Sequence, residues 1–201
     1  VGAVGMGTRS NFFCGPCSAA PRDRPYRRIL GATVYEGAVE EAVKLLKFHD
    51  RPRLAGPLAE LMGDIAREEL DCAVYDLLVP VPLHRVRRRA RGFNQSQLLA
   101  KELLPVFPNA RLDESLERVR PTRVQSKLGN EAERRANVQG AFAVRPDSEV
   151  RGKTVLLVDD VVTTGGTVSE CAQALRAAGA QAVDILAAAL AMPHVPRAQS
   201  G

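Results

Sequence analysis

An α/β fold with a mostly parallel central sheet flanked by helices is what this chain predicts, on three observations. Residues 154–162 are an apolar, largely β-branched run that takes in Asp159 and Asp160 near its end, the composition of a strand buried on both faces. A short loop of Thr and Gly, residues 163–167, joins it to an amphipathic helix over 168–178 that Gly179 can close. The same order recurs upstream: residues 73–83 read as a strand, an arginine-rich loop follows, and a helix continues over 97–104.

Taken from the start, residues 1–30 stand apart, rich in Gly and then in Arg and Pro, with little periodicity. They hold Phe13-Cys14-Gly15-Pro16-Cys17. A thioredoxin-like redox pair needs a strand before it and a helix opening at the first Cys. No hydrophobic strand precedes this pair, and Pro21 and Pro25 would interrupt the helix. The spacing fits half of a structural zinc site, Cys14 and Cys17, but such a site needs four ligands. Cys72 and Cys171 lie in the body of the domain and read as small core residues. Zinc binding is therefore not expected.

The main domain is expected over residues 31–192. Val39, Ala42, Val43 and Leu46 fall at helical spacing across 36–48, with His49 at the end as a helix-terminal side chain rather than a ligand. Leu54, Leu58, Leu61, Met62 and Ile65 repeat the pattern, with Pro57 in the early turns. Both stretches predict helices packing on the sheet. The strand at 73–83 ends in Pro80 and Pro82 and feeds a basic loop, Arg85, Arg87, Arg88, Arg89 and Arg91, then Gly92-Phe93-Asn94-Gln95-Ser96. An anion can sit at Arg91, Gly92 and the new helix start. A solvated surface and a nucleic-acid patch fit the arginines too, although Phe93 is the sole aromatic there for base stacking.

Residues 120–140 are polar and lie between short strands at 116–119 and 141–144. Long loops of this kind serve as active-site lids. Lys127 and Arg134 can close over a diphosphate, and Gln125 and Asn137 can orient it; a surface helix around 130–136 is the plainer reading, compatible with the first. Residues 182–190 are the last core strand, and the tail 193–201, with two prolines, is expected to be disordered.

The chemistry concentrates at 159–167. Gly165 and Gly166 let the backbone approach a ligand closely. The loop enters a helix N-terminus, where free N–H groups and the dipole favour an anion, and the hydroxyls of Thr163, Thr164 and Thr167 add donors. Asp159 and Asp160 stand at the carboxyl end of a strand, where open α/β sheets bind ligands, and can accept only from hydroxyls or a divalent metal. Phosphate at one end and a diol at the other describe ribose 5-phosphate. Gly152-Lys153-Thr154 ends like a P-loop, but it precedes the strand and Asp147 replaces the first Gly.

The run Val155-Leu-Leu-Val-Asp-Asp-Val-Val-Thr-Thr-Gly-Gly-Thr167 resembles the phosphoribosyl-pyrophosphate motif of type I phosphoribosyltransferases. The string Val79-Pro-Val-Pro-Leu-His-Arg, then Arg-Gly-Phe-Asn-Gln-Ser-Gln-Leu-Leu-Ala100, is similar to the narrower ComF/GntX family. So are Tyr35-Glu36-Gly37, Leu46-Lys47-Phe48, and Arg120, Thr122, Gln125, Leu128, Glu133-Arg134, Asn137-Val138 and Gly140-Ala141-Phe142. The resemblance implies a type I phosphoribosyltransferase fold with a small hood, built from residues 31–70 and the 120–140 lid. It implies that Asp159 and Asp160 hold the ribose hydroxyls, residues 163–167 the 5-phosphate, and Arg91, Gly92 and Phe93 the pyrophosphate. Lid residues Gln125, Lys127, Arg134 and Asn137 would close over it, and Mg²⁺ would accompany the phosphoribosyl pyrophosphate. Family members often carry a four-cysteine zinc ribbon, of which Cys14 and Cys17 would be the remnant.

Two functions follow from the resemblance. One is transfer of ribose 5-phosphate to a nitrogen acceptor in nucleoside metabolism, with Asp159 or Asp160 available as a general base. The other is a non-catalytic competence factor in DNA uptake, partnered by a helicase or single-stranded DNA. A homodimer is compatible with either.

At 201 residues the chain suits one globular domain with a short appendage. Hydrophobic content is 45% with aromatics at 4% and no Trp, so the core must be Leu, Val and Ala. A net charge of +5 suits phosphorylated ligands or nucleic acid. With no apolar run long enough for a bilayer, no signal-peptide pattern and no disulfide framework, a cytoplasmic protein without membrane contact is expected.

Overall fold

The computed structural model describes residues 24–48, 51–120 and 139–191. Its strands are β1 (Ile29–Val34), β2 (Leu77–Pro80), β3 (Arg111–Leu112), β4 (Leu116–Arg118), β5 (Phe142–Val144), β6 (Thr154–Val162) and β7 (Ala182–Leu190). The helices are α1 (Gly37–Phe48), α2 (Ala55–Glu69), α3 (Arg85–Arg91), α4 (Gln95–Leu103) and α5 (Gly166–Ala177).

The apolar runs become the centre of the sheet because their residues have cores to fill on both sides. Every residue of β7 is buried, as are all but two of β6. The five-stranded sheet has the order β1-β7-β6-β2-β3, and each pairing is parallel. Alternation along the strands then divides two cores. Leu30, Leu78, Leu156, Val158 and Leu186 pack with Val43 and Leu46 of α1, Met62 of α2 and Leu99 of α4. Leu77, Val79, Val155, Leu157 and Ile185 pack with Val168, Cys171 and Leu175 of α5, and with Leu116 and Phe142 of the small antiparallel pair β4–β5. Each fully buried Leu or Val contributes roughly 1.5–3 kcal/mol from burial.

The end of the sheet opposite Asp159 is tied by a polar knot. Asp184, fully buried near the start of β7, accepts from Tyr75 Oη at 2.7 Å and from Arg27 Nε at 3.1 Å. Burial, followed by the bond to Asp184, pushes the Tyr75 hydroxyl well up from its ordinary range. Packing thus begins ahead of β1, with Tyr26 already in the core.

Three expectations are corrected. The strand foreseen at 73–83 narrows to β2, because Cys72–Val74 turns as a 3₁₀ helix under Asp71, whose side chain accepts from Ala73 N. The arginine run is helical: His84 Nδ1 accepts from Val86 N, and Gly92, at φ 81°, closes α3 on the Arg88 carbonyl. Residues 31–70 do not stand over the sheet as a hood. β1 is its edge strand, α1 and α2 pack on one face as their periodicity predicts, and the end of α1 reaches the site described below.

Candidate functional site

From β2 the chain moves outward to β3; from β6 it moves the other way to β7. The strand order therefore reverses between β2 and β6, and at such a switch point the loops leaving the carboxyl ends diverge and open a crevice. The described residues expected to meet a ligand, 91–93 and 159–167, lie on or follow one of these two strands.

Asp159 and Asp160, on β6, are 8% and 3% exposed. Oδ1 of Asp159 accepts from Ser96 Oγ at 3.0 Å and from the Asp160 N–H at 2.9 Å. Oδ1 of Asp160 accepts from the Val161 N–H at 2.7 Å and pairs with Lys47 Nζ at 3.0 Å. Burial, and after it the charge of Asp160, pushes the Asp159 carboxyl up to about 7; Lys47, the Asp160 N–H and Ser96 act in the opposite direction. Two buried oxygens, Asp160 Oδ2 and Thr164 Oγ1, have no hydrogen-bond partner among the described residues. Buried polar atoms are rarely left so, and a ligand rich in hydroxyl and phosphate oxygens, with or without a metal ion, would satisfy both.

The loop after β6 turns on Gly165, at φ 76°, which is also the N-cap of α5, and the Ser169 N–H bonds the Gly165 carbonyl at 2.9 Å. Thr163 is exposed, and Thr164, Gly165, Gly166 and Thr167 are half-buried. From the β2 side, Asn94 caps α4 by accepting from the Ser96 N–H at 3.2 Å, while its Nδ2 donates to the Val81 carbonyl at 3.0 Å. That brace fixes Ser96 against Asp159. Arg91 donates to Gln95 Oε1 at 2.6 Å and its guanidinium lies 5.3 Å over the Phe48 ring. Burial lowers the Arg91 pKa, and the charge of Asp160 partly restores it.

Phe93 is half-buried and packs against the core formed by α1, α2 and α4. Of the cysteines, Cys171 is buried as expected, and Cys72 only half-buried. Gln125, Lys127, Arg134 and Asn137 lie outside the described residues, as do Cys14, Cys17 and His49. Among the described residues no group of three or more His, Cys, Asp or Glu could hold a metal ion. Beside the crevice an open cleft is lined by Pro80, Pro82, Arg85, Arg88 and Arg118 together with Glu114 and Glu117. Sequence reasoning gave no role to Lys47 or Ser96. Their one sequence signal was membership of the strings Leu46-Lys47-Phe48 and Asn94-Gln95-Ser96.

Known proteins resemble this chain in sequence. The family model described as phosphoribosyl transferase domain matches residues 90–197. The DNA utilization protein YhgH of Salmonella typhi is 37% identical over 175 residues, 86% of this chain and 75% of that protein. Its counterpart in Escherichia coli K12 is 35% identical over 181 residues, 89% of this chain and 78% of the relative. Competence protein F of Haemophilus influenzae is 34% identical over 111 residues, 55% of this chain and 48% of that one. With a parallel sheet, a switch-point crevice and an acidic strand end leading into the Thr-Gly loop, the chain belongs to the phosphoribosyl transferase domain family, of the ComF type.

Proposed function

We propose that the crevice binds phosphoribosyl pyrophosphate together with Mg²⁺, and that the bound sugar is set up to pass its ribose 5-phosphate to a nitrogen acceptor. The observation that carries this reading is the pairing of buried carboxylates with two orphaned oxygens, Asp160 Oδ2 and Thr164 Oγ1, at the end of β6. Asp159 and Asp160 accept the ribose hydroxyls. Thr163, Thr164, Gly165, Gly166 and Thr167 hold the 5-phosphate with the free N–H groups of α5. Arg91, Gly92 and the Phe93 backbone meet the pyrophosphate, and Gln125, Lys127, Arg134 and Asn137 close over it.

When bound, Mg²⁺ would neutralise the departing diphosphate; it keeps several waters and takes ligand phosphates as its main partners, so it asks little of the chain's own carboxylates. As the bond to diphosphate breaks and positive charge grows on the anomeric carbon, the chain's task is to position the sugar and surround the leaving group with donors. Asp159, pushed up to about 7, is the acid of the pair suited to taking a proton from the acceptor at neutral pH. Calorimetry tests the reading. The wild-type chain binds phosphoribosyl pyrophosphate in Mg²⁺, and the double variant Asp159→Asn, Asp160→Asn does not while keeping its circular dichroism. Equal affinity in the two chains would defeat it.

A second reading has its own observation. Arg85, Arg88 and Arg89 of α3 are exposed on one short helix, and the relatives carry the names DNA utilization protein and competence protein. On this reading the chain serves DNA uptake through single-stranded DNA or a helicase, in the cytoplasm. No helix of the described residues is long and apolar enough to cross a membrane. Affinity for an oligonucleotide should fall steeply with salt, and charge reversal at Arg85, Arg88 and Arg89 should abolish it. Ribose phosphate binding should change little in either case. A flat salt response would remove the DNA reading.

A further inference from the structure

Two neighbouring carboxylates, each less than a tenth exposed, repel one another where water cannot screen them. A cation beside such a pair relieves that repulsion. Here that cation comes from a distant part of the chain. Lys47, in the last turn of α1, places Nζ 3.0 Å from Asp160 Oδ1, and its own side chain is only 20% exposed. The helix presenting it is anchored: Val43 and Leu46 are fully buried against the sheet. The Ser96 hydroxyl and two backbone N–H groups, which also donate to the pair, are neutral. Arg91 acts on Asp160 and Arg118 on Asp159 through their charge, without an ion pair to either acid, and the Arg91 guanidinium is taken up by Gln95 and Phe48.

We propose that Lys47 is the built-in counter-cation of the acidic pair, so that the sugar end of the site takes a ribose phosphate without a divalent ion. The inference rests on the reading of this crevice as a ribose phosphate site, and it confines any need for Mg²⁺ to the diphosphate end of the ligand. Lys47 occupies one oxygen of Asp160 and leaves the buried Oδ2 for a hydroxyl. A lysine on a packed helix is part of the fold, whereas a metal ion must be recruited at each binding event. Lys47 is thus a positioning residue for the acids.

Calorimetry with ribose 5-phosphate, which has no diphosphate to recruit metal, tests this on the full chain in EDTA and in Mn²⁺. Wild type binds in both media. Lys47→Gln, which keeps a donor but removes the charge, binds about tenfold more weakly in EDTA, the equivalent of one pKa unit of interaction. Mn²⁺ restores most of that loss, and Lys47→Arg binds like wild type in EDTA. Thermal melts establish that both variants are folded. Equal affinity of wild type and Lys47→Gln in EDTA would overturn the role of Lys47 and leave the site reading standing. A loss shared by Lys47→Arg and not restored by Mn²⁺ would overturn it too, since the lysine would then be only a packing element. If no chain binds ribose 5-phosphate or phosphoribosyl pyrophosphate in either medium, the inference and the site reading fall together.

Discussion

A carboxyl raised to about 7 makes Asp159 a cost to the fold as well as a candidate ligand group. Its folded-state pKa lies above the ordinary 3.8, chiefly through burial, so the folded protein holds the proton more tightly than the unfolded chain does. The stability this gives is complete below about pH 4 and is lost as pH rises through about 7. Asp159→Asn should therefore raise the melting temperature at pH 8 and flatten its fall between pH 4 and 7, while removing ribose phosphate binding. Melts across that range check it, and an unchanged pH slope would mean that the burial is not felt. Stability gained by deleting a site residue is a common trade. At this scale the sequence was readable where the chemistry is local: two adjacent acids ending an apolar run are unfavourable to bury unless something binds them. It was mute on Lys47, since a lysine in an amphipathic helix looks like any solvated one until the helix is packed against the sheet. It also hid the packing of Phe93, half-buried against the core.

Elements were legible where periodicity was strong. The span 182–190 coincides with β7, and helices near 36–48 and 54–65 appear as α1 and α2. The arginine run was the failure, for a physical reason. Like charges at helical spacing repel, and proline and glycine flank the run, so a loop is the natural inference. Intrinsic helix preference of Arg, a His84 cap and the left-handed Gly92 outweighed the repulsion. The turn before α5 relies on a similar glycine. Gly165 sits at φ 76°, where an added Cβ would meet nothing within 4 Å, so a substitution there is penalised by backbone conformation and not by a clash. Gly165→Val should cost on the order of 1–2 kcal/mol in stability and weaken ribose phosphate binding more than it weakens the fold. Calorimetry and melts on the same preparation separate the two effects; unaltered binding would make this loop a plain turn.

At the scale of the molecule, the parallel sheet followed from strand–loop–helix order, because parallel neighbours need such crossovers. The helices at 36–48 and 54–65 pack on the sheet as their periodicity predicts, but the edge strand β1 ahead of them was not foreseen, since six residues with little alternation give no strand signal. The observed order β1-β7-β6-β2-β3 has a mechanical consequence. Everything before residue 121 contributes β1, β2, β3 and β4; everything after 138 contributes β5, β6 and β7. The later pair β6–β7 is thus clasped between strands of the earlier piece, and β4 and β5 join across the divide as well. A protease nick anywhere from 121 to 138 should leave two peptides that co-elute on gel filtration as one particle and part only in denaturant. Separation of the pieces in plain buffer would contradict that interlocking. Made apart, neither peptide owns a complete sheet, so mixing them should regenerate the particle, and any reporter fused to each would read out their reunion.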